Sequence, residues 1–251
     1  MFKTATLLAR LAYKSDNRIK QEIEANNLSL VTIKEVDNTA SFLNDPRQKD
    51  LKFYIADDNE EGIRYFVIRG SVGLLENWVH NLAFWKNTDD IHWGFSKEAE
   101  SLLPHMEQYV NLGYKQITIG HSKGAALGHI LAPDLKADIS IGIGSPFFAG
   151  RKYIESLKNK WNTTYYDIVH HLDIVSLLTR KIFQPLGTVL YIDRKNNLVE
   201  NPTRMKRIRN TTLSFILKRY RDGRTLHDIL HYHCYKRYED FFKIDHRKAK
   251  K

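Results

Sequence analysis

One stretch constrains this chain more than any other. Gln116-Ile117-Thr118-Ile119-Gly120 is a compact β-branched run, and His121-Ser122-Lys123-Gly124 follows it at once. Then comes Ala125-Ala126-Leu127-Gly128-His129-Ile130-Leu131-Ala132, rich in small helix formers. A strand that turns into a helix across so few residues needs a sharp bend, and Ser122 sits at its apex. Such a bend pushes the Ser122 backbone towards strained angles and exposes its Oγ above the end of a sheet. Glycines at 120 and 124 allow the close approach on either side. Small residues at 125, 126 and 128 let the helix pack tightly on the strands.

The rest of the chain repeats the alternation. Residues 4–26 suit two short helices, and 29–36, 51–57 and 63–70 have the β-branched and aromatic content of strands. Amphipathic helices are expected at 73–85 and 95–112, and a strand at 139–146. A helix at 151–159, strands at 164–171 and 187–193, and a final helix at 225–243 complete the pattern. Strands alternating with helices predict an α/β fold: a mostly parallel central sheet covered by helices on both faces. The 251 residues show no repeat and no Pro, Gly or Ser-rich linker, so a single domain over 1–251 is expected. The basic region around 194–224 is the least interpretable insertion.

Composition excludes several classes. A hydrophobic content of 42% excludes a disordered chain, and 13 Gly with 6 Pro exclude a collagen-like one. The single Cys234 excludes an intramolecular disulfide framework and a paired-cysteine zinc site. No run approaches the ~18 apolar residues of a spanning helix. The start, MFKTATLLARLAYKSDN, is interrupted by Arg10 and places Ala5, Leu8, Leu11 and Ala12 at helical spacing. These features predict a protein without signal peptide or transmembrane segment, cytoplasmic or peripheral to a membrane.

A serine needs a base within hydrogen-bond reach and a third group to orient that base. When the serine sits on a strand-to-helix elbow, the acid and then the histidine follow it in the chain. Asp173, just past the strand 164–171, is the favoured acid, with Asp193 at the end of the next strand as runner-up. Asp167 lies inside its strand and reads as structural. His227, His231 and His233 are candidates for the base. His227 is favoured because it follows the loop Asp222-Gly223-Arg224 and opens a helix.

These residues resemble the class 3 lipases, the fungal-lipase-like members of the α/β-hydrolase fold, over roughly residues 60–235. Arg69-Gly70-Ser71, with Asn77-Trp78 and Leu82, is similar to the family's R-G-[ST]…N-W…L. His92-Trp93-Gly94-Phe95 is similar to its H-x-G-F, and GHSKGAALG to its G-H-S-x-G-G-A-L-A. Gly144-Ser145-Pro146, Leu172-Asp173-Ile174-Val175 and His227…Tyr232 follow in the family's order. The resemblance implies a lipid ester hydrolase, a triacylglycerol lipase or a phospholipase A, with Ser122, Asp173 and His227 as its triad. It implies that the backbone N–H groups of Ser71 and Lys123 form the oxyanion hole, with Ser71 Oγ as a further donor. Residues 71–85 would be a lid helix, its apolar stripe including Leu75, Trp78, Leu82 and Trp85. No cofactor and no metal are implied. Three departures stand out: Lys123 where a neutral residue is usual, Ala125 for a glycine, and no prolines after Asp173. A cation beside the oxyanion would favour an anionic substrate.

Two other readings share these features. One is a soluble short-chain carboxylesterase; the other is a catalytically silent membrane- or nucleic-acid-binding protein on the same fold. Charge bears on the choice. The chain carries 39 Lys+Arg against 29 Asp+Glu, a net +10, and the whole excess lies in residues 151–251. Within 204–224 the basic residues flank Leu213-Ser214-Phe215-Ile216-Leu217. That pattern suits peripheral contact with an anionic membrane better than nucleic acid, since no nucleic-acid module surrounds it.

Overall fold

The computed structural model describes residues 1–37, 50–71, 90–157, 160–173, 175–178, 183–203 and 235–243. The expected lid helix beyond Ser71, the basic stretch 204–224 and the three candidate base histidines lie outside the described residues. Among the described residues eight strands form one sheet in simple chain order. They are β1 (Ser29–Asp37), β2 (Asp50–Asp58), β3 (Ile63–Ile68), β4 (Lys115–His121), β5 (Ile139–Ile143), β6 (Thr164–His170), β7 (Thr188–Ile192) and β8 (Leu198–Glu200). β1, β2 and β3 pair antiparallel, β3 to β7 are parallel, and β8 closes the far edge antiparallel to β7. β8 falls in the stretch whose sequence was least interpretable: three residues leave too short a pattern to read.

The sequential order decides how the faces are covered. Right-handed crossovers between successive parallel neighbours put every connecting helix on the same face. α3 (Trp93–Met106), α4 (Lys123–Leu131) and α5 (Arg151–Ser156) are those helices. Their Leu102, Leu127 and Tyr153 share one core cluster with Phe53, Phe66 and Ile68 of the sheet. The opposite face must then be covered from outside the crossovers. α1 (Phe2–Leu11), α2 (Asp16–Ala25) and α7 (Tyr235–Lys243) do so, and α6 (Val175–Leu178) is a single turn after β6. Leu8, Leu11, Ile19, Ile23, Tyr238 and Phe241 pack there against Val67, Ile119, Ile143 and Ile168.

Period-2 alternation along the strands sorts residues between these layers. In β3, Tyr65 and Val67 face α1, while Phe66 and Ile68 face the crossover helices. In β4, Ile117 and Ile119 face α1, which leaves Thr118 and Gly120 beneath α4. The first and last described helices meet: Arg10 of α1 and Glu239 of α7 pair at 3.0 Å, and Tyr54 Oη of the sheet donates to the Leu8 carbonyl at 2.7 Å. The expected helix 95–112 begins two residues earlier and ends at Met106. Pro104 removes one helical hydrogen bond, and a 3₁₀ turn over Glu107–Tyr109 takes over. Among the described residues no helix is long and apolar enough to cross a membrane.

Candidate active site

The elbow takes the form its sequence demands. Ser122 has φ 58° and ψ −129°, a conformation that side chains with a Cβ rarely adopt and that costs on the order of 1–3 kcal/mol. Its surroundings over-determine it. The Ser122 N–H donates to the Ile143 carbonyl at 2.9 Å, and its carbonyl accepts from the Ala125 N–H at 3.0 Å. Crowding does the rest. A Cβ at Gly120 would stand 2.1 Å from the Gly124 oxygen, and one at Gly124 would stand 2.3 Å from the Ile68 oxygen and 2.9 Å from the Gly70 nitrogen. The start of α4 therefore lies directly against the end of β3.

That approach juxtaposes the candidate nucleophile with the candidate oxyanion donors. Ser71 follows Gly70, whose own Cβ would stand 3.2 Å from Ser122 Cβ. Ser71 Oγ is buried and has no hydrogen-bond partner among the described residues. Lys123 opens α4, so its N–H is one of the first-turn donors that a helix leaves unpaired, at the positive end of the helix dipole. The arrangement suits an anion forming beside Ser122.

Asp173 lies in the turn after β6 and is 1% exposed. Its N–H donates to the His170 carbonyl at 2.8 Å, and its Oδ1 accepts from the Val175 N–H at 2.9 Å. Oδ2 accepts from Tyr238 Oη of α7 at 2.5 Å, and the same hydroxyl accepts from the His170 N–H at 3.2 Å. Burial, reinforced by the neighbouring Asp173 charge, pushes the Tyr238 phenol well above its usual range. Tyr238 thus stays a proton donor, which keeps Asp173 an acceptor. The runner-up, Asp193, is committed elsewhere: its Oδ1 accepts from the N–H groups of Lys195 and Asn197 at 2.8 and 2.9 Å, closing the β7–β8 turn. Asp167 is buried inside β6, as its position in the sequence suggests.

The other residues of the motif have structural work. His121 Nδ1 and Tyr13 Oη are 2.9 Å apart, with the Tyr13 ring edge-on to the imidazole. His92 caps α3: its Nδ1 accepts from the Phe95 N–H at 3.4 Å and its ring stacks on Phe95. The Lys123 side chain, unlike its backbone N–H, is turned to another use. The ammonium that its position offered to an anionic substrate pairs with Glu98 of α3, at 3.1 Å to one carboxylate oxygen and 2.9 Å to the other. With Lys123 7% exposed, the pair is an internal tie between α3 and α4. Removing one partner of such a pair strands the other charge at a cost of about 3 kcal/mol. Glu98→Gln is therefore expected to destabilise the fold by about that amount in a denaturant titration, whereas Lys123→Met with Glu98→Met recovers most of the loss.

Tyr13, Glu98 and Tyr238 carry no motif signal in the sequence. Each acts through a partner that only the tertiary fold brings near. Among the described residues no group of His, Cys, Asp and Glu is arranged to hold a metal ion.

The comparisons with known proteins agree with this geometry. The lipase (class 3) family model matches residues 65–182, from β3 through the elbow to just beyond Asp173. No curated protein sequence matches the chain. Among solved structures, the Lip2 lipase of Yarrowia lipolytica is similar, with a TM-score of 0.62 and 21% identity, over 86% of this chain and 89% of that one. A triacylglyceride lipase of Rhizomucor miehei is similar with a TM-score of 0.61 and 20% identity, over 79% and 82% of the two chains. A third, a triacylglycerol lipase described as having a serine protease triad at its catalytic centre, matches with a TM-score of 0.60 and 19% identity, over the same 79% and 82%. Fold, elbow and family match converge: residues 65–182 match the lipase (class 3) model, and the chain shares the α/β fold of the solved lipases it resembles.

Proposed function

We propose that the protein hydrolyses acyl esters of lipids through Ser122, His227 and Asp173, with the N–H groups of Ser71 and Lys123 as the oxyanion hole. The observation that carries this reading is the strained Ser122 backbone at the start of α4, pressed against the strand end that leads into Ser71. His227 takes the Ser122 proton as Oγ attacks the ester carbonyl carbon. Asp173 orients the imidazole and stabilises its charge, and Tyr238 steadies Asp173. The two N–H groups hold the tetrahedral oxyanion. On its collapse the C–O bond breaks and the leaving alkoxide takes the proton from His227. Water, deprotonated by the same histidine, then attacks the acyl-enzyme and releases the fatty acid.

The resemblance extends the reading to residues 71–85 as a lid with Leu75, Trp78, Leu82 and Trp85 facing substrate. It also suits the basic stretch 204–224 as the contact with anionic lipid, the whole chain acting as one hydrolase domain. Triacylglycerol and phospholipid are both within this substrate class. The test is twofold. A fluorophosphonate probe is expected to label Ser122, and turnover is expected to rise when the ester is presented in an emulsion or anionic vesicle. Absence of labelling overturns the reading, and equal rates on monomeric and aggregated esters favour a soluble carboxylesterase.

A further inference from the structure

A second Ser–His–Asp arrangement lies beneath the elbow, sealed inside the fold. His129, on α4 seven residues after Ser122, reaches down into the sheet. Its Nδ1 is 2.7 Å from Ser140 Oγ of β5, and its Nε2 is 3.1 Å from Asp167 Oδ1 of β6. Thr118 Oγ1 of β4 donates to Ser140 Oγ at 2.6 Å. All four residues are at most 1% exposed, so no ester reaches Ser140 and the group is not a second active centre. The imidazole fits because position 142 is glycine: a Cβ there would stand 2.5 Å from His129 Nε2.

Ser140 Oγ accepts from Thr118 and shares a second hydrogen bond with His129 Nδ1, and His129 Nε2 shares the next with Asp167 Oδ1. The result is a continuous relay of hydrogen bonds from Thr118 through Ser140 and His129 to Asp167, which ties α4 to three adjacent strands. Apolar side chains would also fill this space, but dispersion contacts tolerate small slides of a helix. A buried relay is satisfied in one placement only, and any slide leaves polar groups unpaired. The strained turn at Ser122 needs such a restraint, since strain persists only where the surroundings over-determine it.

We propose that His129 is a positioning residue: through this relay it locks α4 in the placement that presents Ser122 Oγ and the Lys123 N–H to substrate. The proposal rests on the reading of Ser122 as the nucleophile. Three variants test it: Ser140→Ala, which removes one link with little repacking; His129→Leu, which removes the relay; and His129→Gln, which keeps one acceptor and one donor. Each is assayed at a temperature where circular dichroism shows it folded. The readouts are kcat and KM on a soluble p-nitrophenyl ester, the fluorophosphonate labelling rate of Ser122, and amide hydrogen exchange over residues 120–131.

Ser140→Ala and His129→Leu are expected to lower kcat and labelling about ten-fold with KM little changed, as for a displaced but intact site. Exchange at the elbow is expected to quicken, and His129→Gln to recover most of the rate. Wild-type kcat and labelling in the folded variants would overturn the proposal and reduce the relay to a source of stability. Should His129→Leu fail to fold, Ser140→Ala decides the matter. If the wild-type protein neither labels nor hydrolyses ester, the nucleophile reading falls by itself. Hydrogen exchange then judges the relay: an elbow as protected in Ser140→Ala as in the wild type overturns the proposal too.

Discussion

Ser122→Ala is expected to fold with an unchanged Tm and to lose ester hydrolysis by at least about 10⁴-fold. The alanine keeps the Cβ and so keeps the backbone strain, but it offers no nucleophile. Ser122→Gly separates the two properties. With φ at 58° and ψ at −129°, the native turn suits a residue without a Cβ. The glycine variant is therefore expected to be as inactive as the alanine variant yet more stable, by about 1 kcal/mol. A chemical denaturation series on the three proteins, with kcat measured alongside, checks both halves. Hydrolysis retained by Ser122→Ala would remove Ser122 from the mechanism. A glycine variant no more stable than wild type would show that the turn carries no strain worth relieving. The pairing of inactivity with added stability is what distinguishes a functional elbow from a turn that merely contains a serine.

The second large effect is expected from Gly120→Ala. The added Cβ meets the Gly124 oxygen, the Gly124 carbonyl carbon and the Ala125 nitrogen at 2.1, 2.2 and 2.5 Å. All three are backbone atoms, so no side chain can swing aside and α4 itself must lift from β4. Such overpacking costs about 3 kcal/mol, which for a chain of this size lowers Tm by on the order of 10 °C. Lifting the helix also moves the Lys123 N–H away from Ser122. A displacement of about 1 Å at that point costs on the order of 100-fold in kcat. Thermal melting and steady-state kinetics at a permissive temperature measure the two effects separately. A folded Gly120→Ala with wild-type kcat would mean that the packing of α4 on β4 does not set the oxyanion geometry.

How much of this was legible beforehand differs by element. The strand 116–120 and the helix after it were readable because the period changes abruptly from β-branched residues to small helix formers. The place of Asp173 after a strand was readable, but the surroundings that set it apart from Asp193 were not. Both aspartates sit just past strands, and only the fold shows Asp193 closing a hairpin while Asp173 is buried under Tyr238. The partner of the Lys123 ammonium was hidden for a similar reason. A cation after the nucleophile suggests attraction for an anion, but Glu98 lies 25 residues away and its approach depends on how α3 packs on α4. β8 was missed because a three-residue edge strand carries no period at all.

The sequence by itself determined the local chemistry: an elbow with a serine at its tip, an acid after a later strand, and a class of fold in which strands alternate with helices. These are properties of neighbours in the chain, where propensity, spacing and the space a glycine leaves act over a few residues. Only the tertiary structure decided what holds that chemistry in place. Tyr13 meets His121 across 108 positions, Tyr238 meets Asp173 across 65, and His129 meets Asp167 across 38. Hydrogen bonds between such distant residues leave no periodic trace, because each partner needs only to be correct once, at the point where two packed layers bring it within about 3 Å.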